Sequence, residues 1–156
     1  MSERIMGVDC GAMGAFSLYV DGKFERVIDM PCVEVVRGGK KKNHISAQGV
    51  AAAIKELNPT HAIVEKVGAM PNQGVTSMFA FGRAAGIIEG ALAALSVPIT
   101  YVTPQTWMKA TQCGKGKDAI RHRCMELHPD HQQQFARVKD SGRADATMMA
   151  YYGSKL

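Results

Sequence analysis

No stretch of this 156-residue chain comes near the roughly 20 consecutive apolar residues that a membrane-spanning helix needs. The longest weakly polar run, Ala84 to Leu95, is broken by Gly86, Glu89 and Gly90, so no membrane partner is expected. A charged-then-apolar secretory leader is missing at the N-terminus. The four cysteines, Cys10, Cys32, Cys113 and Cys124, include no C-x-x-C pair to grip zinc. Both absences point to a reduced, cytoplasmic compartment. Low-complexity segments and internal repeats are also lacking, and with 46% hydrophobic and 21% charged residues the composition excludes disorder, coiled coil and fibre. The length predicts one domain over residues 1–156 and leaves no room for the two lobes of a kinase or an actin-like ATPase. With no Gly-rich adenosine motif either, no nucleotide cofactor is expected.

What the chain does have is a modest excess of base: 19 Lys and Arg against 14 Asp and Glu, a net charge of +5 that favours a polyanionic partner. Along the chain, Arg4 to Asp9 is an apolar run closing on an acid, Ala15 to Val20 reads as a second strand, Asp21-Gly22 as a hairpin turn, and Lys23 to Met30 as a third strand ended by Pro31. Arg37 to Lys42 reads as a loop. Ser46 is placed to cap a helix to about Leu57, followed by a buried strand, His61 to Glu65, that again ends in an acid. Thr76 is expected to cap a long helix to about Leu95, with a strand from Val97 to Val102 after it. Pro104 opens a short helix carrying Trp107 and Lys109. Further helices are expected over Lys117 to about Leu127 and about Ser141 to Tyr152. The sum is an α/β fold: a mixed five-stranded sheet, three antiparallel strands then two parallel, with helices on both faces.

Asp9 and Glu65 both stand at the carboxyl ends of apolar strands, the edge where α/β sheets collect ligands. Taken singly, each is also a plain strand-end acid bonding to the next turn. Asp145 lies three and four residues before Met148 and Met149 and shares their packing face, where an unpartnered carboxylate costs several kcal/mol and calls for a cation, an Arg or a strong hydrogen bond. Asp140 is either a further ligand or the cap of the last helix. Carboxylates gathered at one site raise one another's pKa, and hard divalent cations with oxygen ligands relieve that repulsion, so Mg2+ is the expected cofactor with Mn2+ as a substitute. Two such ions roughly 4 Å apart hydrolyse phosphodiesters without a Cys or His nucleophile. Lys41 in its Lys triplet, Arg83, Lys109, Lys115 and Lys117, with Arg121 and Arg123, offer phosphate contacts; the Lys triplet reads equally as a solvated loop.

Five segments, taken in order, resemble a known family: Ile5-Met6-Gly7-Val8-Asp9, Ala62-Ile63-Val64-Glu65, Gly82-Arg83-Ala84-Ala85-Gly86, Val102-Thr103-Pro104-Gln105-Thr106-Trp107-Met108-Lys109, and Gly142-Arg143-Ala144-Asp145-Ala146. The pattern is similar to RuvC-type Holliday junction resolvases of the RNase H-like superfamily, in a compact bacteriophage-type form. The resemblance implies a homodimer that binds four-way DNA junctions and makes paired symmetric nicks with two ions per site. It makes Asp9, Glu65, Asp140 and Asp145 metal ligands, puts Lys117 and Lys109 near the scissile phosphate, and makes the small residues of the long helix a dimer face. The position three before Asp145 is Gly142, where cellular members carry a ligand, so Asp140 must reach in from the helix start. The loop after Glu65 lacks the family's aromatic residue; Met70 is the apolar side chain available as a wedge. Two other readings stay open: an RNase H-like nuclease on RNA-DNA hybrids, and a non-catalytic junction-binding architectural protein.

Overall fold

The computed structural model describes residues 1–156. Strands β1 (Arg4–Asp9), β2 (Ala15–Val20) and β3 (Lys23–Asp29) form a meander, followed by a separate hairpin, β4 (Cys32–Arg37) and β5 (Lys40–Ile45). Helix α1 (Ala47–Leu57), β6 (His61–Glu65), α2 (Val75–Ala94), β7 (Ile99–Val102), α3 (Pro104–Ala110), α4 (Lys117–Leu127) and α5 (Ser141–Ser154) complete the chain. The main sheet runs β3-β2-β1-β6-β7, antiparallel among the first three strands and parallel from β1 through β6 to β7. A mixed five-stranded sheet flanked by helices is thus observed as expected, and it is consistent with an RNase H-like architecture.

Side-chain alternation along the strands builds two cores, one on each face. Met6, Val8, Phe16, Leu18, Ala62 and Val64 meet α1 and α2 on one side. Ile5, Tyr19 and Ile63 meet Trp107 of α3, Ile120 and Cys124 of α4, and Met148 and Met149 of α5 on the other. Helix α5 lies unusually close to the sheet: a Cβ on Gly7 would stand 2.0 Å from the Ala146 carbonyl oxygen. Only glycine fits at that contact. At the start of α5 a Cβ on Gly142 would stand 2.2 Å from the carbonyl oxygen of Met13, so the helix is seated on the turn that follows Asp9.

Local chemistry explains most element boundaries. Ser46 caps α1 as expected, its Oγ accepting from the Gly49 N–H at 3.0 Å. Thr103 does the same for α3, accepting from the Thr106 N–H. Helix α2 differs, beginning at Val75 behind Gly74 with no side-chain cap, so Thr76 lies inside the first turn. Strand β7 starts two residues later than expected because the Val97 N–H turns back to the Leu92 carbonyl and closes the end of α2. The larger correction is β4–β5. Arg37 to Lys42 is not a loop: Gly38 and Gly39, at φ 55° and 74°, form a left-handed two-residue turn, and Arg37 pairs with Lys40 across it. Between α4 and α5 the chain makes two 3₁₀ turns, Pro129–Gln134 and Val138–Asp140, and buries Phe135.

Candidate active site

The strand register sets two acids side by side. Val8 pairs with Val64 in the parallel β1–β6 ladder, so the next residues, Asp9 and Glu65, leave the sheet together at its carboxyl edge. Both share strand parity with residues that face α5, and Asp145 projects from α5 on the face it shares with the fully buried Met148 and Met149. Burial first, then the charge of Glu65, pushes the Asp9 carboxyl up to about 6, against the pull of Lys117. Burial again, then the charges of Asp9 and Glu65, pushes Asp145 up to about 7. The Glu65 carboxyl is also raised by burial, opposed by a hydrogen bond donated from Trp107 Nε1 at 3.3 Å. The three groups therefore feel one another, and Lys117, at the first turn of α4, is the cation facing Asp9 and Asp145.

One oxygen of this set has no partner. Asp145 Oδ1 is buried and accepts no hydrogen bond, which is costly for an ionised carboxylate in a protein interior. As the side chains stand, no group of three or more His, Cys, Asp or Glu is gathered closely enough to hold a metal ion. The donor chemistry nevertheless fits a hard divalent cation: oxygen ligands only, mutually repelling, with a buried oxygen unsatisfied.

Asp140 belongs elsewhere. Its carboxylate is almost wholly buried and accepts from the Arg137 backbone N–H at 2.9 Å and from the Arg137 guanidinium at 2.9 Å, with Arg143 at 3.7 Å. Burial opposes its charge, yet the Arg137 hydrogen bonds hold its carboxyl below the ordinary value. Asp140 thus shares in clamping α5 to the sheet edge, since Arg143 also grips Asp29 with two bonds of 2.7 and 2.9 Å. The charges that perturb Asp140 are Arg137 and Arg143, not the three acids.

Among the expected basic residues, Lys109, Lys115 and Lys117 are exposed along α3, the loop after it and the start of α4. Arg83 is exposed on α2, and Met70 is 65% exposed in the loop after Glu65. Lys41 pairs with Glu34 at 3.7 Å on the hairpin. Arg121 is corrected: it is buried, donating to the Phe135 and Ala136 carbonyls and pairing with Asp118. Arg123 likewise donates to the Thr111 carbonyl. The sequence reading missed Trp107 as the partner of Glu65; a buried indole needs an acceptor, and the strand-end acid was the signal. It also missed a cavity of about 440 Å³ beside Glu65, lined by Cys10, Lys66, Ala85, Glu89 and Tyr101.

Sheet order, helix placement and an acid pair at the carboxyl edge define a mixed α/β sheet protein and are consistent with an RNase H-like architecture. Among solved structures the chain is similar to Thermus thermophilus RuvC in complex with a Holliday junction substrate, with a TM-score of 0.64 at 15% identity over 96% of this chain and 91% of that one. It is also similar to a second Thermus thermophilus RuvC structure, with a TM-score of 0.55 at 14% identity over 96% and 95% of the two chains. At such identities the likeness is one of fold. No protein-family model matches the chain, and no curated protein matches it in sequence. No helix is long and apolar enough to cross a membrane.

Proposed function

We propose that the protein is a metal-dependent endonuclease that cuts branched DNA, four-way junctions above all, by phosphodiester hydrolysis at Asp9, Glu65 and Asp145. The observation that carries this reading is the pairing of β1 with β6 that brings Asp9 and Glu65 to one sheet edge, with Asp145 of α5 offering a buried, unpartnered oxygen. Magnesium held by these acids would supply a deprotonated water and a charge sink for the leaving oxygen. The protein's own groups do the rest. Trp107 fixes the Glu65 carboxylate by its N–H, the close seat of α5 on Gly7 fixes Asp145 against β1, and Lys117 offers a positive charge to a phosphate approaching Asp9. The fold likeness to a RuvC in complex with a Holliday junction substrate supports the choice of DNA.

The reading includes a homodimer, supported by the exposed row Gly82, Gly86 and Gly90 on α2, where open space lies beside each glycine. The test is nicking of a labelled mobile four-way junction, a linear duplex and an RNA-DNA hybrid, with magnesium and with EDTA. Paired symmetric nicks that need metal and vanish in Asp9→Asn, with junction binding intact, are expected. Binding without any nicking would reassign the protein as architectural, and hybrid-selective cutting would move it to the RNase H reading.

A further inference from the structure

The β4–β5 hairpin stands apart from the main sheet as a two-stranded ribbon, and its root lies at the edge that carries the acids. Asp9 pairs with Ala15 and Ala15 with Asp29, so β3 ends level with Asp9 and the chain enters β4 at Cys32 directly afterwards. The Cys32 thiol donates to the Ala12 carbonyl oxygen at 3.4 Å, the Ser46 N–H donates to the Pro31 carbonyl oxygen at 2.9 Å, and Ile45 is buried in the first core. The root is therefore fixed. From it the paired strands run to the Gly38-Gly39 turn, a reach of about 20 Å at roughly 3.4 Å per residue.

A lone two-stranded ribbon is marginally stable in water, so its exposed side chains are not explained by folding. Four cations against one acid between Cys32 and Ile45 give it three of the chain's five net positive charges. Strand alternation sorts them. Arg37 pairs with Lys40 and Val35 with Lys42, which puts Arg37, Lys40 and Lys42 on one face, all of them exposed. Glu34 lies on the other face and pairs with Lys41 at 3.7 Å, so no acid tempers the first.

The kind of partner follows from what the ribbon lacks. It carries no Phe, Tyr or Trp, and so has no ring on which an unpaired base could stack. Its offer is charge alone, with Lys40 and Lys42 projecting the same way about 7 Å apart along one strand. A DNA duplex answers that offer, since it presents a phosphate for about every 1.7 Å of its axis and keeps its bases stacked inside.

We propose that the β4–β5 hairpin is an arm that holds duplex DNA by its phosphates, through Arg37, Lys40 and Lys42, at about six base pairs from the phosphates that meet the acids. The spacing is the 20 Å reach divided by about 3.4 Å per base pair. This rests on the reading of the protein as a DNA nuclease and gives it a second, remote point of hold. It requires nothing of α2, whose glycine row is left to the dimer.

The test is binding in EDTA, where nothing is cut, to an immobile four-way junction with patches of neutral methylphosphonate linkages stepped along each arm. The double variant Lys40→Ala with Lys42→Ala is expected to bind the unmodified junction about tenfold more weakly, with its salt slope reduced by about 1.8 for two lost phosphate contacts. One patch should weaken the wild type by a similar factor and cost the double variant nothing further. The patch that couples in the same way to Lys117→Ala marks the cutting site, and the two patches should lie about four to eight base pairs apart on one arm. Lys40→Arg with Lys42→Arg, which keeps the charge, and Lys41→Ala, on the opposite face, should bind like the wild type. A double variant that binds normally, one that every patch weakens as much as the wild type, or a single patch coupled to both Lys117 and the hairpin would overturn the proposal. Nicking in magnesium is scored separately. A protein that shows this coupling but never nicks keeps the arm and loses the nuclease reading; one that nicks while the double variant binds normally does the reverse.

Discussion

Replacing Asp145 by Asn should make the metal-free protein more stable at pH 8 and leave it nearly unchanged at pH 3. In the folded chain Asp145 holds its proton up to about pH 7, against an ordinary value of 3.8. Between those two values the folded form carries more protons than the unfolded one, so stability falls as pH rises and the whole loss is in force above pH 7. A rise of that size corresponds to about 4 kcal/mol at 1.36 kcal/mol per tenfold, a ceiling because Asp9 and Glu65 share the repulsion. Asparagine keeps the shape and cannot ionise. We therefore expect a gain of about 2–4 kcal/mol at pH 8, or roughly 5–15 °C in melting temperature for a chain of this length. Thermal unfolding followed by circular dichroism in EDTA at both pH values measures it. Millimolar magnesium should then raise the melting temperature of the wild type and not that of Asp145→Asn, since only a species that binds the folded state stabilises it. A gain equal at both pH values, or none at pH 8, would refute the argument that an ionised, buried Asp145 is held against its electrostatic preference.

Gly7→Ala should cost about 3 kcal/mol or more, because the new methyl meets the backbone of α5 and not a side chain that can turn away; urea unfolding checks it, and a loss under 1 kcal/mol would mean α5 shifts freely. Asp140→Asn should destabilise by about 2–4 kcal/mol by leaving Arg137 and Arg143 short of a buried partner, while the magnesium-induced rise in melting temperature stays as large as in the wild type. Trp107→Phe removes the hydrogen bond that steadies ionised Glu65, so the acidic limb of the nicking rate profile should move to higher pH; an unmoved limb would separate Glu65 from the rate.

The acids were legible in the sequence for different reasons. Asp9 and Glu65 each close an apolar strand, and parallel pairing of those strands sets them together with no further information needed. Asp145 was legible because a lone acid three and four residues from Met148 and Met149 has no apolar excuse. Asp140 was not, since its partner Arg137 meets it through a single 3₁₀ turn, which leaves no periodic trace. The hairpin was hidden by its own chemistry. A two-stranded ribbon exposed on both faces has no buried stripe, so Lys40 to Lys42 read as a charged loop even though Gly38-Gly39 carried the turn signal. The buried pairing of Tyr19 with His128 depended on the segment after α4, whose fold follows from where Phe135 finds room and not from any local preference.

The two cores on opposite faces of the sheet divide the molecule's liabilities. Strand β5, α1 and α2 are held by the cluster around Phe16, Ile54 and Ile88, whereas α3, α4 and α5, with Trp107 and Asp145, lean on the cluster around Ile63, Trp107 and Met148. Strands β1 and β6 give side chains to both clusters, so a change in either reaches the placement of Asp9 and Glu65, whereas Asp145 leans on the second alone. At the contact between Gly7 and Ala146 backbone meets backbone, so the second cluster has no room to slide along the sheet.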